Sequence, residues 1–344
     1  MYDLRAKAAI LALGLATALC VCAGCLRSSS QEVVVYAALD REFSDPILRD
    51  FEARSGVTVL AKYDVESTKT VGLATALMQE RNRPRCDVFW NNEILHTLRL
   101  ERMGLLDSYD LPNAASFPPN YRSADGRWYG FAARARVFLV NRDLLSEDKW
   151  PASVVELADP KWQGRCGLAK PLFGTTATHA AVLFAHWGRQ RAQEFFAAVR
   201  DNAQVLAGNK QVAVAVGRGQ LEFGITDTDD AIIEIEKGMP VAIVYPDQTA
   251  GQMGTLFIPN TLCILQGAPH PDNARRLLDY LLTSEIETRL AQGASAQFPL
   301  HSGVAAKPRV CQQEVRWMDV DFAAAADAWD EAADFLRQQF AAAD

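Results

Sequence analysis

No His-Glu-x-x-His pair or comparable zinc spacing occurs anywhere in the 344 residues, so the common zinc-hydrolase chemistry is excluded. No Ser/His/Asp or Cys/His signature is present to support other hydrolysis. Positive charge is in deficit: 35 Lys and Arg against 42 Asp and Glu leave a net charge of −7. No basic stripe interleaved with aromatics stands out, which argues against nucleic acid as a partner and against direct docking on an anionic membrane. No apolar run reaches the ~20 residues needed to cross a bilayer comfortably. Cysteine is sparse beyond the N-terminus. Cys86, Cys166, Cys263 and Cys311 are far apart and in no metal-ligand spacing. Cys86 and Cys263 adjoin apolar runs and read as buried free thiols, although an oxidising compartment would permit some pairing. Internal repeats are absent, and only the Ala-rich tail is compositionally biased.

What remains is an ordinary globular composition, 49% hydrophobic and 22% charged, in a chain long enough for two lobes. Arg5 and Lys7, the apolar run Ala8–Val21 and the small pair Ala23-Gly24 before Cys25 form the three regions of a secretory signal. They resemble a bacterial lipoprotein leader, spanning residues 1–24, with Cys25 lipidated and residues 25–31 as a short tether. Cys22 stands where such leaders carry an aliphatic residue. The expected location is the periplasm, anchored to a membrane.

Val33–Tyr36, Val57–Leu60 and Asp87–Trp90 read as strands separated by amphipathic helices, the first helix starting at Asp45-Pro46 and stopping at Gly56. Such alternation predicts a mostly parallel α/β sheet whose polar strand exits share one edge. Those exits carry Asp40; Glu66, Ser67 and Thr68; and Trp90, Asn91, Asn92 and Glu93. The plainer reading of the last group is a cap for the following helix. Arg134 opens the strand Arg134–Asn141, and capping boxes are expected at Ser153/Glu156 and Ser284/Glu287. Gly174, Thr175 and Thr176 start a long helix, where unpaired N–H groups stabilise an anion. His179 and His186 share a face of that helix and read as packed. The strand Leu221–Ile225 exits into Thr226-Asp227-Thr228-Asp229-Asp230, the densest polar cluster of the chain. It suits a hard cation or an ammonium group, although one or two of its acids fit an ordinary helix start. It has neither the glycine nor the distal glutamate of an EF-hand.

Val33–Tyr36, Asp87–Trp90, Gly130–Asn141, Pro269–Ala274 and Gln297–Leu300 together resemble the type II periplasmic solute-binding proteins of ABC importers, in the branch that holds ferric-iron binders. The resemblance covers nearly the whole mature chain. It implies two α/β lobes, 32–135 plus 260–300 and 136–259 plus 301–344. Two crossing strands join them, at about Arg136–Asn141 and Leu256–Leu265, with a ligand cleft between the lobes and hinge closure. It implies a monomeric, non-enzymatic capture protein that works with a permease and an ATPase subunit. Ferric binders of this kind carry adjacent tyrosines where this chain has Thr226–Asp230. Their acidic ligand falls at about Asn92, next to Glu93, and Asp40 is the nearest candidate for their first-turn ligand.

Glu93, Asp227 and Asp229 are therefore expected to take Fe(III) or another hard cation, with or without a synergistic anion. Asp40, Glu66, Ser67, Thr68, Trp90, Asn91, Asn92, Arg134, Thr175, Thr176, Thr226, Thr228 and Asp230 are expected to complete the ligand shell. No resident cofactor is expected. An organic solute is the alternative: a polyamine or thiamine-like cation read by the acids and stacked on Trp90, or a phosphonate or carboxylate held by Arg134 and the threonines. A hydrolase using Glu66 and Asp227 as paired carboxylates is the reading from another class.

Overall fold

The computed structural model describes residues 31–64, 70–309, 311 and 314–341. The expected leader, the lipidation residue Cys25, the tether up to Ser30, and Glu66, Ser67 and Thr68 lie outside the described residues. Among those described, no helix is long and apolar enough to cross a membrane.

The chain begins with β1 (Glu32–Ala37), α1 (Arg41–Ser55), β2 (Thr58–Tyr63), α2 (Val71–Gln79), β3 (Val88–Asn91) and α3 (Leu95–Arg102). β1 lies parallel to both β2 and β3. Strands covered on both faces need apolar side chains throughout, and Val88-Phe89-Trp90 is wholly buried. In α1, Phe43, Ile47, Leu48 and Phe51 recur at helical spacing and face the core. Gly56, at φ +71°, ends the helix by giving its N–H to the Glu52 carbonyl. The start differs from expectation. The Asp40 carbonyl already accepts from the N–H groups of Phe43 and Ser44, so the helix begins at Arg41 and Pro46 lies inside it.

β4 (Tyr129–Asn141) is the long strand that joins the two halves of the sheet. Beyond it come β5 (Cys166–Ala169), α4 (Gly174–Trp187), α5 (Arg189–Asn202), β6 (Gln204–Leu206), α6 (Asn209–Gly217), β7 (Phe223–Asp227), α7 (Thr228–Glu236) and β8 (Val241–Val244). The chain returns through β9 (Phe257–Ile264) to α8 (Pro271–Leu281), α9 (Ser284–Gln292) and α10 (Phe322–Phe340). The sheet order is β2-β1-β3-β9-β4-β7-β5-β6, with β8 paired to β4. Tyr129–Ala135 of β4 pairs antiparallel with β9, whereas Arg136–Val140 pairs with β7. One strand thus serves both halves. Its register slips between Phe131 and Arg134, where Ala132 takes φ +44°.

The second crossing is shorter than Leu256–Leu265. Leu256 and Phe257 lie beside Arg136 and Ala135, and from there β9 is held by β3 and the first part of β4. The tail also differs from its assignment to one half, because α10 packs on α3 of the first half and on α4 and α5 of the second. Of the two capping boxes, neither forms. Ser153 Oγ donates to Asp247 rather than capping, and α9 is capped by Thr283, whose side chain accepts from the Ile286 N–H. Glu287 instead turns inward.

Candidate functional site

The register of β4 on β7 sets Arg136 opposite Asp227. Successive strand residues alternate faces, so Arg134 emerges on the same side as Arg136. Both guanidiniums come from the crossing strand and both are buried, at 2% and 1% exposure. Burying such charges is tolerable only with partners. Arg136 Nη1 donates to Asp227 Oδ1 at 2.7 Å and to Asn209 Oδ1 at 3.0 Å, and Nη2 donates to Thr176 Oγ1 at 3.2 Å. Arg134 Nη1 lies 3.3 Å from Asp229 Oδ2 and 3.5 Å from Asp227 Oδ2, and its Nη2 donates to the Asn92 carbonyl of the first half. The other oxygen of Asp227 accepts from Thr175 Oγ1 at 2.5 Å and from Asn209 Nδ2 at 3.0 Å.

Burial by itself would raise the Asp227 carboxyl, but Arg136, Arg134 and the Thr175 hydroxyl outweigh it and hold it below the usual range. Arg134 shows the converse: burial opposes its charge, yet Asp229, Asp227, Asp40 and Asp230 raise its pKa. The core of the site is therefore an ionised network. Among the described residues, the buried Nε atoms of both arginines have no hydrogen-bond partner.

Two helix starts converge on this network. α4 begins at Gly174, whose φ of +53° turns the chain in, and Thr175 and Thr176 follow; α6 begins at Asn209 after Gly208. Together with Asn92, Arg134, Lys170 and Asp227 they line a small cavity of about 20 Å³, enough for a single water. Asp40, at the start of α1, and Lys210, in α6, line a wider groove outside it, which Lys210 spans to reach Glu42 at 3.6 Å.

The remaining expected residues divide clearly. Asn92 is at the site, its side chain accepting from Thr70 Oγ1. Asp229 and Asp230 are there too, and their carboxylate oxygens lie within 4.8 Å of one another and of Asp227. Thr226 and Thr228 are buried beside it but support backbone: Thr226 Oγ1 donates to the Asn209 carbonyl and Thr228 Oγ1 accepts from the Ala135 N–H. Trp90 does not face the site; it is fully buried and packs on Phe131, with ring centroids 5.5 Å apart. Asn91 and Glu93 form a separate interior network. Glu93 accepts from the Leu95 and His96 N–H groups at the start of α3, from Asn91 Nδ2 and from Thr178 Oγ1. Burial opposes its charge, yet His96 beside it keeps the carboxyl low. With its oxygens so engaged, Glu93 is a helix cap and a bond between halves, and it is not among the carboxylates grouped around Asp227.

A cation at the acidic cluster would meet two guanidiniums, and both oxygens of Asp227 already have donors. The hard-cation set Glu93, Asp227 and Asp229 is thus not gathered as expected. Asp229 is itself buried and paired with Arg134, Asp230 is half-buried next to it, and Asp40 lines the separate outer groove. Arg136 and Asn209 were not among the expected site residues. The alternation Arg134-Ala135-Arg136 could have flagged the first; the second follows Gly208 at a helix start, but nothing local distinguishes it from an ordinary cap.

Comparison with known proteins fits this architecture. A family model described as bacterial extracellular solute-binding protein matches residues 97–326. The Fe(3+)-binding periplasmic protein of Serratia marcescens is 28% identical over 198 residues, covering 58% of this chain and 57% of that protein, less than two thirds of its length. A putative 2-aminoethylphosphonate-binding periplasmic protein of Salmonella typhimurium is 24% identical over 242 residues, 66% of each chain. The solved structure of iron-bound HitA from Pseudomonas aeruginosa superposes with a TM-score of 0.81 at 22% identity, covering 90% of this chain and 99% of that one, a likeness of fold. The chain belongs to the bacterial extracellular solute-binding proteins, with the type II periplasmic binding fold, a family of binding proteins rather than enzymes.

Proposed function

We propose that this solute-binding protein captures a small solute with an oxyanion head group, a phosphonate, a phosphate monoester or a carboxylate, between its two halves. In the same reading it delivers the solute to an ABC permease from a lipid tether at Cys25. One observation carries the ligand class: two buried guanidiniums, each with an unpartnered Nε, lie beside two helix N-termini. Forked donors and free N–H groups are what an oxyanion needs, and charge-assisted bonds to it are worth about twice neutral ones. Its kinship with a putative aminophosphonate binder accords with that chemistry.

The 20 Å³ cavity is too small for such a head, so entry requires the halves to part or Asp227 to yield its place. Asp227 is then the internal counter-ion of the arginines until a ligand arrives. The surplus of acids around Arg134, namely Asp229, Asp230 and Asp40, suits an ammonium group on the same solute.

The clustered carboxylates and the kinship with ferric binders favour a second reading: Fe(III) held by Asp229, Asp230 and Asp40 with a synergistic anion on the arginines. Native mass spectrometry of freshly purified protein, followed by thermal-shift titration, separates the two. The first reading expects a stoichiometric shift with 2-aminoethylphosphonate or a sugar phosphate in the presence of a chelator. A shift only with Fe(III) plus an anion, abolished by chelator, would replace it with the second.

A further inference from the structure

The first turn of α4 has two sides. Thr175 and Thr176 face the oxyanion cavity, whereas Phe173 and Ala177 also wall a second, larger cavity of about 290 Å³. That chamber lies between the halves, closed by Val71 and Met78 of α2, His96 and Arg99 of α3, and Trp329 and Leu336 of α10. Phe173, half-buried, lines both spaces.

The ionisable groups of the chamber already have partners, Arg337 pairing with Asp334. His96 Nδ1 is 3.0 Å from Glu93, and its ring meets Trp329 edge-on at 4.6 Å. The Arg99 guanidinium lies over the Trp329 ring at 5.6 Å and pairs with Asp330 at 3.2 Å. A second charged group would find no counter-ion to spare here, whereas an apolar or aromatic body would be sheltered by Met78, Phe173, Trp329 and Leu336. Its volume is at the lower end of that of small-molecule sites.

Resting on the oxyanion reading above, we infer that the ligand is a phosphonate or phosphate monoester with an apolar, ring-bearing body. The head sits at Arg134 and Arg136, and the body passes Phe173 into the chamber beneath α10. The chamber sets specificity and the arginines set charge selection.

Calorimetric titration of the purified chain with methylphosphonate and with benzylphosphonate tests this. Burial of one ring predicts benzylphosphonate to bind about tenfold or more tightly than methylphosphonate. Two chamber-filling variants on different helices, Thr75→Trp on the exposed side of α2 and Ala333→Phe on α10, should each remove that advantage and leave methylphosphonate affinity unchanged. Equal affinity for the two probes, or an advantage that persists in both folded variants, would overturn the chamber assignment while sparing the oxyanion site. If neither probe binds the wild-type chain, the oxyanion reading falls and the chamber inference falls with it.

Discussion

Asp227 and Arg136 show how much of the site depends on single buried charges. The two lie 2.7 Å apart and both side chains are buried, so each is the other's main counter-charge. Asp227→Asn keeps the shape but leaves two buried guanidiniums short of a counter-charge, and it should cost about 3–5 kcal/mol in urea unfolding. Since the folded carboxyl titrates below its ordinary value, the stability it lends is complete above that value and is lost as the pH falls through the depressed one. The variant should therefore flatten the acid limb of the stability profile. His179, buried on α4 and next to Arg136, acts in the same direction for a different reason. Burial and that neighbouring cation push its pKa from 6.5 down to about 3, so the folded protein binds fewer protons than the unfolded chain between those values. Stability should fall as pH drops below 6.5, by at most about 1.4 kcal/mol per pH unit from this group. His179→Phe should lessen that slope, and an unchanged slope would remove His179 from the account. At this scale the sequence was only partly legible. The Thr226–Asp230 cluster and Arg134 announced themselves by composition. Trp90 did not reveal its direction, because an apolar run buried on both faces has no period to show which side meets a ligand.

Among the elements, the second part of β4 was legible as the strand Arg134–Asn141, but its extension back to Tyr129 was not, because the stretch before Gly130 shows no period. Nor was its irregularity. The bulge at Ala132 is held from outside the strand: the Ala132 N–H donates to Glu287 at 2.6 Å, and its carbonyl accepts from Asn260 Nδ2. Glu287 also receives the Leu300 N–H at 2.9 Å and the His301 N–H at 2.5 Å, so one carboxylate ties α9 and the 300–301 turn to the crossing strand. Burial raises its pKa against those three donors. In the sequence it reads as the last member of a capping box, since the pattern Ser-x-x-Glu does not say which way the glutamate turns. Glu287→Leu should strand the buried Ala132 and Leu300 N–H groups and the part-buried one of His301, and cost about 3 kcal/mol or more by chemical denaturation, more than a surface cap would. A loss within about 0.5 kcal/mol, the range of ordinary surface substitutions, would show that the bulge holds without it. Glu93 makes the same point for α3. A cap was the plainer expectation for that stretch, and what the sequence could not show is that Thr178 of the other half donates to the same carboxylate at 3.0 Å.

For the whole molecule, the order of strands and helices was readable because α/β alternation leaves few topologies. The position of α10 across both halves was not, since a helix with a broad apolar face can pack on either. Thr178 of the second half donates to Glu93 of the first, and the cavity at the arginines is too small for a ligand. Solutions of the ligand-free protein should therefore contain opened forms, and addition of a bound solute should reduce the radius of gyration measured by small-angle X-ray scattering. An identical radius with and without saturating ligand would contradict closure around the solute. The central claim is that the arginines of the crossing strand receive an anionic head, and it is tested most directly by calorimetric titration of wild type and Arg134→Gln with 2-aminoethylphosphonate. The account predicts a single site in the wild type and a loss of about 100-fold in the folded variant, the weight of one or two charge-assisted bonds. Equal affinity in the two proteins would contradict it.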